Sequence, residues 1–399
     1  MPETKKPNRI AMLGHKRVPS REGGVEIVVE ELGTRLASSG YDVTCFNRRG
    51  HHVSGKEFDK EDISSYNGIK IKTVPTIDKG GLAAMSSSFF AAVKAAFGKF
   101  DIVHFHAEGP CAMMWIPKLF GKKCFATIHG LDHQRAKWGK VASLYIRFGE
   151  WCAVHLADEI IVLSQNVQKY FKDKYARDTV FIPNGVSRPE NIPAEEIGNK
   201  FGLSKDEYIL FLGRIVPEKG LSYLVKAFKN VKTDKKLVIA GGSSDTADFM
   251  NEIKNEAADD GRIMFVGFVE GKSLEELYSN TYIYVLPSDL EGMPLSLLEA
   301  MSYGNCCLTS DIPECAEVVG NCGVTFKKGD IKDLTDKMQF LCDDEVTVKS
   351  FKVKSADYIC DKYDWNNVVK QTLKVYGVFE DIHSSSVSQE KVHENFVGK

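Results

Sequence analysis

Two glutamates in residues 287–301 (PSDLEGMPLSLLEAM) have a pattern that points to a functional site. A buried strand is predicted to end at Pro287, and a helix begins near Pro294, a residue suited to a first helical position. Glu291 then lies in the loop, and amides at the helix start favour an anion. Glu299 lies two turns into the helix among apolar neighbours, where a carboxylate without a partner would be destabilising. The alternative is a Glu299 that faces solvent.

A second segment, residues 211–221 (FLGRIVPEKGL), directly follows another predicted strand. Gly213 lets the backbone turn, and Arg214 and Lys219 leave the strand end as two neighbouring cations suited to a diphosphate. Read alone, Arg214 could be a salt-bridge partner and Lys219 part of a solvated turn. Because the glutamate segment follows a later strand of the same sheet, we favour a binding site.

Paired glycines, Gly23 and Gly24, lie between a strand ending at Leu13 and a helix starting near Val25. They permit close approach of a ligand to the backbone and expose amides at a helix start. Neither the Gly-x-Gly-x-x-Gly spacing of dinucleotide-binding proteins nor a P-loop is present.

Histidines lie near several predicted strand ends. His104 and His106 alternate on one strand, and His129 and His133 are four residues apart after the next strand. A zinc site could be drawn from these four, but no carboxylate or thiol completes the usual motif, so we expect no metal site. We predict that His104 is a hydrogen-bonded core residue and that His129, at a strand end beside Gly130, lies in a cleft.

Short apolar runs alternate with amphipathic segments along the chain, which is typical of βα units that form parallel sheets. Strands are predicted at 9–13, 42–47, 69–75, 102–106, 123–128, 159–163 and 179–182, then at 208–212, 236–240, 262–266, 283–287, 306–309 and 323–326. Helices are predicted at 26–39 and 86–97, a polar linker at 190–205, and a terminal helix or helix pair within 356–380.

The predicted organisation is two Rossmann-like α/β domains facing across a cleft. It comprises a first domain (1–189), a second domain (190–360), a helix packing across the domains (361–381) and a disordered tail (382–399). Open α/β sheets bind ligands beyond the carboxyl ends of their strands, where all the candidate residues fall.

Composition excludes several classes of protein. The 399 residues are 43% hydrophobic and 27% charged, enough for a sizeable core and too apolar for disorder. A net charge of −2 supplies no field for holding a nucleic acid. The ten cysteines are scattered without a Cys-x-x-Cys pair, which favours reduced thiols. No signal peptide or membrane span is recognisable, so we expect a cytoplasmic protein, at most peripheral to a membrane.

Taken together, these motifs resemble the retaining glycosyltransferases of family 4, which have the two-domain GT-B fold. The resemblance runs from about Ile10 to about Tyr376 and includes, in the family's order, Gly23-Gly24, His129, residues 183–186 (PNGV), Gly213-Arg214 with Glu218-Lys219-Gly220, Phe265-x-Gly267, and Glu291-x7-Glu299.

The resemblance implies that the second domain (190–360) is the nucleotide-sugar-binding domain and the first (1–189) the acceptor-side domain. Arg214 and Lys219 would grip the diphosphate with the amides of Leu295 and Ser296. Glu299 would bind the ribose and Glu291 the sugar hydroxyls. The backbone at Phe268 and Val269 would contact the base, Gly24 the phosphates and His129 the transferred sugar.

It also implies transfer with retention of configuration and without a metal or other cofactor. Because Glu291 and Glu299 would be committed to hydroxyl groups, we expect front-face attack by the acceptor rather than a covalent intermediate. UDP is the default nucleoside diphosphate of the donor, and GDP and dTDP are left open. Residues 17–24 and 129–139 are similar to a bacterial capsule and surface-polysaccharide branch that includes rhamnosyltransferases.

Rival interpretations remain. They are a sugar phosphorylase or a sucrose- or trehalose-type synthase, a dTDP-rhamnose-type rhamnosyltransferase, and a non-transferring nucleotide-sugar sensor or epimerase-like protein. Besides the nucleotide-sugar donor, the expected partners are a glycan or lipid-linked acceptor and an inner-leaflet membrane surface.

Residues 112–150 carry seven basic and two acidic side chains with interleaved aromatic residues, which could seat a helix on an anionic membrane. An ordinary solvated face is the alternative.

Overall fold

The computed structural model describes residues 8–52, 55, 58–59, 62–77, 79, 81–134, 139–242 and 247–377. The predicted tail at 382–399 lies outside these residues. Two parallel sheets, one in each half of the chain, carry the elements around them.

The first half contains eight strands and six helices, in the order β1 (Arg9–Leu13), α1 (Gly24–Ser38), β2 (Asp42–Arg48), β3 (Ser65–Tyr66), β4 (Ile69–Val74), α2 (Leu82–Phe97), β5 (Ile102–His106), α3 (Glu108–Cys111), α4 (Trp115–Leu119), β6 (Lys123–Ile128), a 3₁₀ turn (Asp132–Gln134), α5 (Lys140–Leu156), β7 (Glu159–Val162), α6 (Gln165–Tyr175) and β8 (Val180–Phe181).

The second half runs α7 (Glu196–Phe201), β9 (Tyr208–Leu212), a 3₁₀ turn (Pro217–Lys219), α8 (Leu221–Phe228), β10 (Lys236–Ala240), α9 (Ala247–Ala257), β11 (Ile263–Gly267), α10 (Lys272–Asn280), β12 (Ile283–Leu286), α11 (Leu295–Ser302), β13 (Cys306–Ser310), α12 (Pro313–Val319), β14 (Val324–Phe326), α13 (Ile331–Asp343), α14 (Glu345–Lys362) and α15 (Trp365–Val375).

Strand order places the candidate loops at the centre of each sheet. The first sheet has the order β3-β4-β2-β1-β5-β6-β7-β8 and the second β11-β10-β9-β12-β13-β14. Every pairing is parallel except β3 with β4. The order reverses beside β1 and beside β9, and such switch points open the crevice in which α/β proteins bind ligands. The predicted architecture of two Rossmann-like sheets is confirmed.

The C-terminal helices join the two halves. Val369, Leu373 and Tyr376 pack into the apolar cluster of the first sheet, although α15 follows the second domain in sequence. Tyr363 and Trp365 belong to the core of the second half. The linker between the domains crosses at the same place, where the backbone amide of Val186 donates to the carbonyl of Tyr363 at 2.7 Å.

The described part of segment 356–380 belongs to a helix pair, one of the two arrangements predicted, because Asp364 accepts a hydrogen bond from the amide of Asn367 at 3.1 Å and caps α15 after α14 has ended. One predicted segment differs from the structure. The linker 190–205 is not wholly irregular, since it contains α7, whose Ile197 is buried in the second core. One buried side chain is too weak a pattern to predict a six-residue helix.

Candidate functional site

The two segments that follow β9 and β12 meet at the carboxyl edge of the second sheet, because these strands are neighbours. The Lys219 ammonium lies 2.5 Å from Oε1 of Glu291. The hydroxyl of Ser288 donates to the same oxygen at 2.6 Å. The amide of Asp289 also donates to the carbonyl of Glu218 at 2.8 Å, so backbone and side chains both join the loops.

Gly220 makes this junction sterically feasible. It has a φ of +68°, and a Cβ there would lie 2.0 Å from the carbonyl oxygen of Pro287. Both the left-handed conformation and the contact therefore require glycine. The tight turn sets Lys219 over the end of β12 and directs its side chain to Glu291.

Glu299 lies on α11 and forms a contact that crosses the cleft. Its Oε1 is 2.6 Å from Nη1 of Arg21, which precedes α1 in the first domain, and its Oε2 accepts from the hydroxyl of Tyr278 at 3.2 Å. The Glu299 side chain is half-buried. Burial disfavours the charge on Arg21, but the Glu299 carboxylate outweighs it and raises the arginine pKa.

The starts of α1 and α11 also approach each other. A Cβ on Gly24, the first residue of α1, would lie 3.2 Å from Cδ1 of Leu295, the first residue of α11. The hydroxyl of Tyr284 bonds the side chain of Ser296 at 2.8 Å and fixes the first turn of α11. Because helix starts carry unpaired amides and positive partial charge, this part of the cleft favours an anion.

His129 stands at the end of β6, on the first-domain wall. Its Nε2 is 3.1 Å from Nδ1 of His106. A Cβ on Gly292 would lie 1.7 Å from the carbonyl oxygen of His129, so only glycine allows this approach. The loop that carries Glu291 therefore touches the loop that carries His129.

His104 is a buried hydrogen-bonded residue, as its strand position indicates. Its Nδ1 is 2.7 Å from the Tyr376 hydroxyl, and its Nε2 is 2.8 Å from the Thr127 hydroxyl. Burial lowers the pKa of His104 to about 3 and holds that of His106 well below the usual value. Both rings are thus neutral at ordinary pH and support His129 from the core.

Four other residues predicted to bind the donor lie at the same sheet edge. Gly213 and Arg214 directly follow β9, with Arg214 half-buried. Phe268 follows edge strand β11, and its ring centroid is 4.9 Å from that of His52 and 4.8 Å from that of Phe58 in the first domain. The Phe268 ring thus packs against the first domain, and the backbone at Phe268 and Val269 remains the predicted contact for the base.

The sequence did not predict the parts played by Arg21, Ser288 and Tyr278. Arg21 occurs in the run shared with the polysaccharide branch, but its ion pair with Glu299 depends on how the two domains meet. Ser288 is three residues before Glu291, a spacing that could have suggested a hydrogen bond in the loop. Tyr278 lies on a separate helix, α10, and no local pattern connects it to Glu299.

The cleft thus combines an ammonium, a guanidinium and two helix starts with two carboxylates. Cations and amides neutralise a diphosphate, and carboxylates accept hydrogen bonds from hydroxyl groups. Among the described residues, one group has the side chains and spacing to hold a metal ion, and its members are Glu108, His133 and Glu150. It lies in the first domain, apart from the Lys219–Glu291 pair.

Comparison with known families accounts for both halves. Residues 193–357 match the family described as glycosyl transferases group 1, and residues 22–188 match glycosyltransferase family 4. The chain is a GT4-like glycosyltransferase with the GT-B fold. The predicted enzyme class, a hexosyltransferase, is confirmed.

Named relatives of this glycosyltransferase span most of its length. It is 24% identical to an uncharacterized glycosyltransferase of Methanocaldococcus jannaschii, over 93% of this chain and 98% of the relative. It is 27% identical to the Escherichia coli UDP-Gal:alpha-D-GlcNAc-diphosphoundecaprenol alpha-1,3-galactosyltransferase, over 71% of this chain and 76% of the relative.

Anabaena HepE, solved in complex with UDP and glucose, matches with a TM-score of 0.76 at 14% identity, covering 92% of this chain and 99% of HepE.

In the described part of this glycosyltransferase, no helix is both long and apolar enough to span a bilayer.

Proposed function

We propose that this glycosyltransferase moves a hexosyl or deoxyhexosyl group from a nucleoside diphosphate, by default UDP, to a glycan or lipid-linked saccharide with retention of anomeric configuration. The observation that carries the proposal is the Lys219–Glu291 pair, 2.5 Å apart at the edge of the second sheet and in contact with the His129 loop. The UDP complex of HepE and the UDP-galactose donor in the name of the Escherichia coli relative support the choice of UDP.

The diphosphate would lie between the two domains. Arg214, Lys219 and the amides of Leu295 and Ser296 would neutralise it, and Gly24 would let the α1 start approach from the opposite side. Since charge develops on the diphosphate as the sugar leaves, these fixed donors stabilise the transition state more than the ground state. Because these cations and amides would neutralise the diphosphate, we propose that transfer needs no metal at the donor site.

The contacts of Glu291 bear on the route by which we propose that configuration is retained. Its Oε1 already accepts from Lys219 and Ser288, which supports a role for this carboxylate in binding rather than in attack on the anomeric carbon. We therefore favour front-face attack, in which the acceptor hydroxyl forms the new C1–O bond as the C1–O bond to phosphate breaks. The departing phosphate oxygen accepts the hydroxyl proton. His129 would hold the transferred sugar.

The acceptor is proposed to be presented at the cytoplasmic face of a membrane. Helix α5 carries an exposed apolar stripe at alternating spacings of three and four residues, formed by Val141, Leu144, Phe148 and Trp151. Val141 is 85% exposed and Leu144 70%, which is unusual for apolar side chains on one helix face.

The neighbouring helix α4 extends this apolar surface. Leu119 is 75% exposed and is followed by exposed Phe120, which packs against Phe97 from the end of α2. Helix α4 contacts both α2 and α5.

Some of the basic side chains around this surface are held by other groups of the protein. Lys118 pairs with Asp158 at 2.8 Å, and Lys122 donates to the carbonyl of Gly98 at 2.8 Å. Lys140 and Arg147 are exposed beside the stripe, and Arg135 and Lys137 lie outside the described residues. Apolar insertion is thus the main proposed attraction, with anionic lipid adding to it.

The test is a donor panel of UDP-hexoses, GDP-mannose and dTDP-rhamnose, each assayed with a diphosphoundecaprenol-linked sugar. We expect one nucleoside diphosphate to be released in step with glycosylation, and an α-linked product from an α-linked donor by NMR. Conversion of the donor sugar without an acceptor would identify an epimerase-like protein. Inversion at C1, or a covalent sugar trapped on Glu291, would contradict the mechanism.

A further inference from the structure

Two buried glutamates and a histidine converge in the first domain, behind the loop that follows His129. Glu108 opens α3, His133 lies in the 3₁₀ turn after β6, and Glu150 is on α5. Helices α3 and α5 touch here, since a Cβ on Gly149 would lie 2.1 Å from the carbonyl oxygen of Glu108. This contact brings together carboxylates that are remote from His133 in sequence.

Both distances from the His133 nitrogen to the carboxylate oxygens match the spacing between two ligands of a zinc ion. Nδ1 of His133 is 3.5 Å from Oε1 of Glu108 and 3.3 Å from Oε2 of Glu150. The three candidate ligand atoms all lie within 4.8 Å of one another. Zinc bound tetrahedrally at about 2.0–2.1 Å separates its ligands by about 3.3–3.4 Å, whereas a nitrogen–oxygen hydrogen bond is about 2.9 Å.

Glu108 gives the second, independent indication. Its side chain is fully buried, and neither carboxylate oxygen forms a hydrogen bond within the described residues. The His133 Nδ1 likewise has no hydrogen bond there. A buried carboxylate without hydrogen bonds is strongly unfavourable unless a cation compensates it.

Glu150 is already oriented for such a role. Its Oε1 accepts from Lys174 at 2.8 Å, from Tyr170 at 3.0 Å and from the hydroxyl of Tyr175. The other oxygen, Oε2, faces His133. Metal-ligating carboxylates are commonly held in this way by hydrogen bonds to the oxygen that does not bind the metal.

We propose that Glu108, His133 and Glu150 bind a zinc ion that fastens the 3₁₀ turn after His129 to helices α3 and α5. One imidazole nitrogen and two carboxylate oxygens are ligands that zinc accepts, and a water would complete the four-coordinate shell. The ion would act on structure rather than on the leaving diphosphate, because the donor-site cations belong to the other domain.

The competing arrangement is an ion pair without metal. Burial raises the pKa of Glu108 to about 8, and the two glutamates raise the pKa of His133 to about 9. A protonated His133 between a neutral Glu108 and the Glu150 carboxylate would then balance the charge. Its single Nδ1 hydrogen could serve only one of them, and both observed distances exceed the usual hydrogen-bond length.

Metal content of the untagged full-length protein tests the proposal. After dialysis against a weak chelator, we expect about one zinc per chain by mass spectrometry in the wild type, and less than about a tenth in Glu108→Gln and His133→Gln. His155→Gln is the matched control, since His155 is exposed on α5, and it should keep its zinc.

A second measurement uses wild-type protein, so that the proposal can be tested even if a variant misfolds. Wild-type protein stripped with a strong chelator should lose thermal stability and regain it on adding zinc. With Co²⁺ it should show the visible absorption of tetrahedral cobalt, which His133→Gln should lack while keeping its circular dichroism. Wild-type protein that contains no zinc and takes up neither ion after stripping would overturn the proposal and leave the ion pair.

Discussion

Arg21 of the first domain and Glu299 of the second form an ion pair 2.6 Å long across the cleft. Glu299 is the residue proposed to bind the donor ribose, so its carboxylate would be shared between a cross-domain contact and a ligand. The pair holds the domains together beside the α1 and α11 starts. Donor binding would then require the arginine to move aside or to share Glu299 with the ribose.

Removal of the Arg21 side chain should therefore strengthen donor binding. Half-exposed ion pairs contribute about 0–1 kcal/mol, so Arg21→Ala is expected to tighten UDP binding by about two- to fivefold in calorimetry. Arg188→Ala removes an exposed ion pair with Asp357 outside the cleft and should leave UDP affinity unchanged. Weaker UDP binding in Arg21→Ala would mean that Arg21 itself contacts the nucleotide.

Gly220→Ala should damage both stability and donor binding. Gly220 and Gly202 both have positive φ, +68° and +62°, but a Cβ at Gly220 meets the Pro287 carbonyl at 2.0 Å whereas one at Gly202 meets nothing within 4 Å. Gly202→Ala should lower the free energy of unfolding by about 1–2 kcal/mol, because its Cβ meets no neighbour and only the left-handed backbone conformation is unfavourable. Urea denaturation should show a larger loss for Gly220→Ala, with UDP binding abolished. Equal losses would contradict the contact.

The α5 stripe should control membrane binding. Leu144→Ser with Phe148→Ser is expected to reduce pelleting with liposomes by at least about tenfold, because two apolar side chains would no longer insert. Val346→Ser with Val353→Ser is the control, since these valines on α14 are more exposed than Leu144 and Phe148. Phosphatidylglycerol should strengthen wild-type binding relative to pure phosphatidylcholine. Equal binding to both lipids would remove the electrostatic part, and equal binding by both variants would remove the apolar part.

The buried histidines should make the fold sensitive to acid. Burial lowers the pKa of His15 to about 4 and that of His104 to about 3, from 6.5 when unfolded. The unfolded chain therefore binds more protons below pH 6.5, and stability is lost as pH falls from that value toward the folded-state pKa. Each such histidine should lower the free energy of unfolding by about 2 kcal/mol at about pH 5.

Thermal unfolding between neutral pH and pH 5 measures this effect. His104→Gln should be less stable at neutral pH, since it loses bonds to Tyr376 and Thr127, but its melting temperature should fall less steeply in acid than that of the wild type. His155→Gln should retain the wild-type slope. An unchanged slope in His104→Gln would show that this ring does not titrate on unfolding.

Much of the fold could be predicted because parallel strands buried on both faces are continuous apolar runs. The strands at 9–13, 102–106, 123–128, 208–212 and 236–240 have the predicted bounds. The two-residue strand β3 was not predicted, because Ser65 and Tyr66 carry no alternation that a pattern could reveal.

The candidate site could be predicted as a set of residues but not as a set of contacts. Lys219 and Glu291 were expected at one sheet edge, since each follows a strand of the same sheet. That they pair directly depends on the Gly220 turn. The partners of Glu299, Arg21 and Tyr278, come from another domain and another helix. Glu108 and Glu150 were not connected with His133 for the same reason, since tertiary packing alone brings them together.

Calorimetry with UDP, GDP, dTDP and ADP, run without metal on the wild type, Lys219→Ala and Glu299→Ala, tests the proposed donor site most directly. One nucleoside diphosphate should bind the wild type and raise its melting temperature, and both variants should lose at least about tenfold in affinity. If none of the four binds, or if both variants bind as tightly as the wild type, the donor site assigned to the edge of the second sheet is wrong.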